Sequence, residues 1–202
     1  SVRKKKDFGA LVKLNINQKG YSFSHPSFDS KNKVLYFASD VDGGQGKSDI
    51  YRSEMDSNGV FKEIENLGDQ INSAEDEVFP FIYHGELFFS SNKKEGLGGL
   101  DMYWSYKAGD EWKTPKHLGD SINSIKDDFG VFIYSDYSRG FVSSNKEGND
   151  DIYYFDMEKK VTIQNELAGS FSYRNLNTDV SGLKVQVTSD DLNMVFESLS
   201  DE

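Results

Sequence analysis

Short runs of aromatic and β-branched residues alternate with polar turns along most of the chain. Typical runs are VLYFAS (34–39), DIYRSE (49–54), LFFSS (87–91) and DMYWSY (101–106). Runs of this length bounded by Gly, Asn or Asp predict β-strands. No segment sustains the helical spacing of apolar residues over about 11 positions or more, so the pattern predicts an all-β protein.

The strand pattern is written almost three times. The segment LGDQIN at 67–72 has a close copy, LGDSIN, at 118–123 and a more divergent copy, KLNIN, at 13–17. A period of about 50 residues with four short strands in each copy is typical of a β-propeller blade. We therefore predict four-stranded antiparallel blades in an incomplete ring. The residues that mark the period are Ser39, Ser91 and Ser144 at strand ends, and Asp49, Asp101 and Asp151 at strand starts.

The repeat also sets the expected domain boundaries. After Lys160 it stops, and alternating runs at 167–173, 183–188 and 193–199 predict the truncated start of a small β-sandwich. Because a propeller needs at least four blades, we expect the ring to be completed outside this chain. The predicted parts are the last strand of a preceding blade in 1–17, blades in 18–72 and 73–123, a blade and linker in 124–165, and the sandwich in 166–202.

Each signature residue has an expected structural role. The aspartates at the strand starts are expected to accept backbone N–H bonds from the glycine-rich loops before them. Leu67 and Leu118 are expected to be buried where the outer strand ends, and Asn72 and Asn123 to lead the chain into the next blade. The loop glycines are expected at positive-φ turn positions, namely Gly43, Gly44, Gly46, Gly96, Gly98 and Gly99.

Charge and composition exclude several classes of protein. The chain has 23 Lys and Arg against 34 Asp and Glu, a net charge of −11, which disfavours nucleic acid and anionic lipid as partners. It has no cysteine, so disulfides, zinc–thiolate sites and cysteine nucleophiles are excluded. No apolar run has the roughly 20 residues that span a bilayer, so membrane association is expected only indirectly or through an anchor outside this chain.

One loop, DVDGGQGKSD, resembles a calcium loop. Its candidate oxygen ligands are Asp40, Asp42 and Asp49. An EF-hand requires Gly at the sixth position and Glu at the twelfth, and this chain has Gln45 and Tyr51 there. Phosphate loops are followed by a helix, whereas these glycine loops are followed by strands. We predict neither a metal nor a cofactor.

Catalytic patterns are equally incomplete. The carboxylate groups EDE (75–77) and KDD (126–128) are candidates for a glycosidase-like acid and base, but they recur at equivalent repeat positions, which favours a shared structural role. DFG at 128–130 lacks the HRD loop of a kinase, and no GxSxG turn is present. His25, His84 and His117 lie at non-equivalent positions. We predict no enzyme, with Trp104 as a candidate partner contact.

The combined signature resembles a known family. The segments HPSFD, LYFASD and SDIY, then LG..IN, FPFI, FFSS and GLGGLDMYWS, are similar to the TolB-like, WD-repeat-like β-propeller of large OmpA-family envelope proteins. The resemblance covers about residues 8–160. It implies that 166–202 begins a carboxypeptidase-regulatory-like β-sandwich. In that family tetratricopeptide repeats precede the propeller, and a peptidoglycan-binding domain follows the sandwich.

The resemblance also implies a function. Members of this family include the component that links the type IX secretion machinery to peptidoglycan. We therefore expect a periplasmic, outer-membrane-associated scaffold that binds other envelope proteins and reaches peptidoglycan through a domain outside this chain. Two alternatives remain open, a propeller that binds carbohydrate or peptidoglycan fragments through exposed aromatics, and a propeller-type hydrolase.

Overall fold

The computed structural model describes residues 9–135, 137–157, 184–189 and 194–199 of the chain. The chain divides into two compact units, 1–159 and 160–202. All regular structure in the described residues is β-strand, as the sequence pattern predicts. The described part of the chain contains no helix long and apolar enough to cross a membrane.

The first repeat forms a four-stranded antiparallel sheet, with its strands in chain order. Its two central strands carry the aromatic and β-branched residues Val34, Tyr36, Phe37, Ile50 and Tyr51, which pack well on a pleated, half-buried surface. We call it the first sheet, and its strands are β1 (Phe23–Asp29), β2 (Val34–Ser39), β3 (Asp49–Glu54) and β4 (Glu65–Asn66).

The second repeat forms the second sheet, in which the expected fourth strand is split in two. Both short pieces pair with the same strand, and Pro115, which has no N–H to donate, lies between them. The strands are β5 (Glu77–Tyr83), β6 (Glu86–Ser91), β7 (Asp101–Ala108), β8 (Glu111–Trp112) and β9 (Lys116–His117).

The third repeat supplies three described strands, the third sheet: β10 (Asp128–Ile133), β11 (Arg139–Ser144) and β12 (Asp151–Asp156). A fourth strand here, the linker ending at 165 and the predicted strand at 167–173 lie outside the described residues. In the second unit, β13 (Lys184–Ser189) and β14 (Met194–Leu199) form an antiparallel hairpin.

The strand expected in 1–17 is not formed over the described residues 9–17, which have no strand pairing. A strand needs a ladder partner, and within the described residues no sheet precedes β1. Residues 1–8 lie outside the described part, so the assignment of 1–17 to a preceding blade stays a prediction. Ile16 is nevertheless buried, against the outer face of the first sheet.

The hydrophobic core lies between consecutive sheets. Adjacent side chains of a strand point to opposite faces, so each sheet contributes to two layers. The first and second sheets bury one cluster between them, consisting of Val34, Tyr36, Ile50, Ile71, Ile82, Leu87, Phe89, Tyr103 and Trp112. The second and third sheets bury another, built on Phe88, Met102, Val131, Ile133 and Val142.

The segments between repeats add an isoleucine to each layer. Ile71 belongs to the cluster between the first and second sheets, and Ile122 packs on the cluster between the second and third. Leu67 and Leu118 are half-buried rather than fully buried as expected. Each directly follows a short edge strand, and the isoleucine four residues later takes the deeper position.

Backbone contacts join each loop to the start of the next sheet. The Lys47 N–H donates to the Glu75 carbonyl at 3.0 Å, and Ser48 forms a parallel bridge with Asp76. In the following repeat, the Gly99 N–H donates to the Lys126 carbonyl at 3.2 Å. Consecutive sheets are therefore held together by main-chain bonds as well as by apolar contacts.

These contacts correct the explanation of the loop glycines. Of the six, Gly43 alone has a positive φ, 92°. The other five are glycine because a Cβ would collide with a neighbouring group. The collisions would occur at 2.5 Å from Asp49 Oδ2 for Gly44, 2.0 Å from the Glu75 carbonyl oxygen for Gly46, 2.1 Å from Asp101 Oδ2 for Gly96, 2.2 Å from the Ile125 backbone for Gly98, and 2.1 Å from Asp127 Oδ1 for Gly99.

Gly46→Ala tests the close approach of the first loop to the second sheet. The new methyl group would meet a backbone oxygen that cannot rotate away, so we expect unfolding to become easier by about 1–3 kcal/mol. Gly9→Ala is the matched control, because nothing lies within 4 Å of its Cβ position and its φ is ordinary. Urea unfolding measures both, and equal stability of the two variants would contradict the close approach.

Candidate functional site

Asp49 fixes the glycine loop that precedes β3. It is 1% exposed, and its carboxylate accepts the N–H groups of Gln45 and Gly46 and, at 2.8 Å, the Asn66 amide. The Asn72 amide donates to Asn66 Oδ1 and also brackets Ile50, accepting its N–H at 2.8 Å and donating to its carbonyl at 3.0 Å. One hydrogen-bonded network thus joins loop, strand and linker.

The second sheet repeats this network with His117 in the place of Asn66. Asp101 accepts the Leu97 N–H at 2.9 Å, and Asn123 brackets Met102 as Asn72 brackets Ile50. His117 Nδ1 accepts the Gly119 N–H, so the ring hydrogen of the neutral imidazole is on Nε2. That nitrogen lies 3.3 Å from Asp101 Oδ1 but also 2.9 Å from the Asn123 NH₂ group. Nε2 with its hydrogen can donate to Asp101, but it cannot accept a hydrogen bond from the Asn123 NH₂ group.

In the third sheet the corresponding aspartate has a different environment. Asp151 begins β12 opposite Ser144, as Asp49 begins β3 opposite Ser39, but Asp151 is exposed.

A second buried carboxylate begins the first strand of the second sheet. Glu77 is fully buried and accepts three hydrogen bonds, from the Ser73 N–H at 2.7 Å, the Ser73 hydroxyl at 2.6 Å and the Ser91 hydroxyl at 2.7 Å. A buried charge is tolerated only when it is well hydrogen-bonded, and this carboxylate is. Its role is to hold the turn into β5.

Asp128 takes the equivalent place in the third sheet and is one methylene shorter. Its Oδ2 accepts the Ser124 N–H at 2.6 Å, while its buried Oδ1 has no hydrogen-bond partner among the described residues. The strand register pairs Asp128 with Ser144 as it pairs Glu77 with Ser91. Because the aspartate side chain is shorter, its Oδ1 does not reach the Ser144 hydroxyl, whereas the Glu77 carboxylate accepts a hydrogen bond from the equivalent Ser91 hydroxyl.

A reciprocal exchange tests this difference. Asp128→Glu restores the reach to the serine, so we expect it to stabilise the protein by about 1 kcal/mol. Glu77→Asp leaves a buried oxygen without a donor, and we expect it to destabilise by about 1–3 kcal/mol. Urea unfolding of both variants checks the prediction. Loss of stability in both would show that the two sites are not equivalent.

The candidate metal and catalytic carboxylates do not converge on one site. Asp40 accepts the Ser22 N–H at 2.6 Å, and Asp42 accepts the Tyr21 hydroxyl. Asp127 accepts the Leu100 N–H at 2.8 Å and the Asn145 amide at 3.1 Å. In the part of the chain that the structure describes, no group of three or more His, Asp or Glu side chains is placed to hold a metal ion.

Among the carboxyl groups that the structure describes, Glu86 has a pKa above its ordinary value, mainly because it is partly buried. The Tyr137 hydroxyl donates to it at 3.1 Å, and burial together with this carboxylate raises the pKa of Tyr137 as well. Perturbed groups often mark catalytic sites, but a glycosidase pair needs a second, ionised carboxylate beside the acid. The partner of Glu86 here is a tyrosine that stays protonated, so the pair joins β6 to the turn before β11.

The first strand of each of the first, second and third sheets carries a bulge at the same place. The register shifts between Ser24 and Ser27 in β1, and β5 and β10 shift at equivalent points. The bulged residues have positive φ, at 52° for His25, 52° for Phe79 and 67° for Gly130. A positive φ is costly for large side chains, so its recurrence marks a built feature of the repeat.

Aromatic rings line these bulges. The rings of His25 and Phe79 stack with centroids 3.8 Å apart, and Phe129 lies 5.1 Å from Phe79. An open cavity of about 220 Å³ adjoins them, with Pro26 and Pro80 also in its wall. The Phe79 N–H points at His25 Nδ1 at 3.4 Å, an arrangement that requires the neutral ring.

His25 makes stability depend on pH. Burial lowers the pKa of His25 below 6.5, so the unfolded chain takes up a proton at a pH where the folded chain does not. Stability therefore decreases as the pH falls below about 6.5. His25→Phe keeps a ring at a φ that Phe79 already adopts, and we expect it to lose less stability between about pH 8 and pH 5. Urea unfolding at the two pH values measures this, and an unchanged pH dependence would refute it.

The third sheet presents an apolar face to solvent. We call it the open face. In the second sheet, the equivalent positions pack against the third sheet. By strand register, Phe132 and Phe141 of the open face correspond to Phe81 and Phe88. Ile152 and Tyr154 correspond to Met102 and Trp104. Met102 is 0% exposed, whereas Ile152 is 77% exposed and Tyr154 is 68% exposed. Tyr134, which directly follows β10 and is 39% exposed, extends the face by its ring contacts with Phe132 and Phe141.

Trp104, the candidate partner contact, is half-buried against the cluster between the second and third sheets and stacks on Tyr106 at 5.3 Å. Its counterpart Tyr154 is the exposed one. The signal was present in the repeat, because Tyr154 follows DIY as Trp104 follows DMY. What the sequence does not reveal is which copy leaves its face uncovered.

Comparison with protein families and with curated proteins found no match. One solved structure similar to this chain comes from work on two prolyl endopeptidases and the role of inter-domain dynamics in their catalysis and specificity. The similarity covers 68% of this chain at 15% identity with a TM-score of 0.44, and this chain spans 18% of that enzyme's length. A likeness at this level carries no argument about activity.

Proposed function

We propose that the chain is a non-enzymatic scaffold module of propeller type that docks other proteins of the cell envelope. The open face carries the proposal, because a contiguous apolar face of this kind marks an interaction surface on a soluble domain. The buried carboxylates that the repeats share hold loops and strand starts, and are not gathered for catalysis.

The propeller assignment draws on the stacking of the sheets. Each described sheet is antiparallel with its main strands in chain order, and an isoleucine from the connecting segment packs in each layer between two sheets. Blades of a propeller stack in this way around an axis, and the bulged first strands contact one another as inner strands would. Further sheets are required to close such a ring.

The envelope setting rests on the sequence resemblance to OmpA-family proteins. On this proposal the protein is periplasmic and associated with the outer membrane, where it connects an assembly such as the type IX secretion machinery to peptidoglycan. Peptidoglycan would be bound by a domain outside this chain. Partners dock on the open face, because the opposite face of the third sheet is already packed against the second sheet.

Site-specific photo-crosslinking in cells tests the proposal. A photoreactive residue at Tyr154 is expected to give adducts with outer-membrane and periplasmic proteins, because its side chain projects from the open face. The same residue at Glu147, on an exposed loop, is the matched control and should give few adducts. Adducts with cytosolic proteins alone would overturn the localisation, and glycan hydrolysis that is lost in Asp127→Asn or Asp128→Asn would overturn the scaffold function.

A further inference from the structure

The residue two positions after a strand-end serine packs against the tyrosine of the third strand. In the first sheet Val41, 8% exposed, and Tyr51 belong to the same apolar cluster. In the second sheet Lys93 takes this position, and its Nζ lies 3.9 Å from the centroid of the Tyr103 ring. The second repeat therefore places a lysine amine where the first repeat buries an aliphatic side chain.

The Lys93 amine is partly withdrawn from water without a paired charge. Lys93 is half-buried, and it forms no ion pair with any carboxylate that the structure describes. Burial lowers the pKa of Lys93, although the charges of Glu77 and Glu95 act in the opposite direction. A larger fraction of this amine is therefore neutral and nucleophilic near neutral pH than in an exposed, unperturbed lysine.

The Tyr103 hydroxyl supplies an unused hydrogen-bond donor beside this amine. Tyr103 is 2% exposed, and its hydroxyl has no partner among the described residues. In the first sheet, by contrast, the Tyr51 hydroxyl donates to the Val41 carbonyl at 3.2 Å. Burial raises the pKa of Tyr103 to about 12, so the hydroxyl keeps its proton. A buried donor without an acceptor is costly, so this hydroxyl favours a group that brings an oxygen to it.

We propose that Lys93 is a site of covalent acylation, at which the amine takes an acyl group from an activated acyl donor such as a thioester. The Nζ lone pair attacks the acyl carbon, the carbon–sulfur bond breaks, the thiolate leaves, and the nitrogen gives its proton to water. The Tyr103 hydroxyl donates to the carbonyl oxygen as negative charge develops on it. In the amide product this oxygen is bonded to the carbon next to Nζ, within reach of the hydroxyl on the ring below.

An amide product suits this position, which lies on the second sheet and apart from the open face. The amide is uncharged, like the valine of the first repeat, and it removes the cost of desolvating an ammonium group. An aldehyde would also react with a neutral amine, but its imine hydrolyses again in water. The donor is expected to be neutral, because the negative charges of Asp101, Glu95 and Glu77 all act on Tyr103.

Competitive acetylation of the whole chain tests the proposal. The protein is treated at about pH 7 with a limiting amount of N,S-diacetylcysteamine, a neutral thioester, and peptide mass spectrometry locates the acetyl groups. Lys146 is the matched control, because its Nζ lies 3.7 Å from the Tyr153 ring but the side chain is exposed. Lys94, the exposed neighbour, controls for access to the loop. We expect Lys93 to be acetylated at least about threefold faster than either control.

A purely structural role predicts the reverse order. A lysine that only covers the tyrosine ring is less accessible than Lys146 and Lys94 and would be acetylated more slowly, which would overturn the proposal. Preference for Lys107, whose pKa burial also lowers, would overturn the assignment to Lys93. Raising the pH to about 10 should reduce the preference, because exposed lysines then lose their proton too. Faster reaction of Lys93 with acetyl phosphate, an anionic donor, would refute the choice of a neutral donor.

Tyr103→Phe separates the hydroxyl from the ring. The variant keeps the ring under Lys93, so we expect acetylation of Lys93 to slow by about threefold or more while Lys146 reacts as before. Tyr153→Phe, the matched change in the third sheet, should leave the Lys93 rate unaltered. Because the Tyr103 hydroxyl has no partner among the described residues, its removal should not lower the urea midpoint. An unchanged Lys93 rate in folded Tyr103→Phe protein would refute the role of the hydroxyl.

Discussion

Burial of a carboxylate at the start of a strand is the constraint on which the rest of the structure depends. Asp49, Asp101 and Glu77 are almost completely withdrawn from water, and each must be given hydrogen bonds in return. The donors are backbone N–H groups of the loop or turn just before the strand, together with a side chain from further along. Satisfying the charge therefore fixes the loop, the strand end and the linker at once.

The apolar layers build on this polar frame. Asn72, in the segment between the first and second sheets, is hydrogen-bonded to the third strand of the first sheet. Ile71, which directly precedes it, is therefore directed into the space between the two sheets. The alternation of side chains along β2 and β6 then fills that space from both sides. Polar and apolar contacts thus specify the same arrangement, which is what makes a repeated sequence fold in one register.

Much of the fold could be predicted from the sequence because its signals are local and repeated. Alternating runs such as VLYFAS and DIYRSE gave the central strands, and the twin LGDQIN and LGDSIN segments gave the period. The glycine loops were misread, since turn geometry is a local property whereas the 2.0 Å approach of a Gly46 Cβ to Glu75 depends on another sheet. The open face was missed for the same reason. Tyr154 and Trp104 occupy equivalent positions in the repeat. Their exposure differs because a following sheet packs against Trp104 and no described sheet packs against Tyr154.

The main-chain bonds that run from each loop to the start of the next sheet have a consequence for how such a chain is assembled. Lys47 with Glu75, and Gly99 with Lys126, connect segments fewer than about 30 residues apart. Among the described strands, the second sheet contacts both the first and the third, and the first and third sheets do not contact each other. Folding can therefore spread along the polypeptide as a nearest-neighbour process, each finished sheet serving as the template on which the next one nucleates.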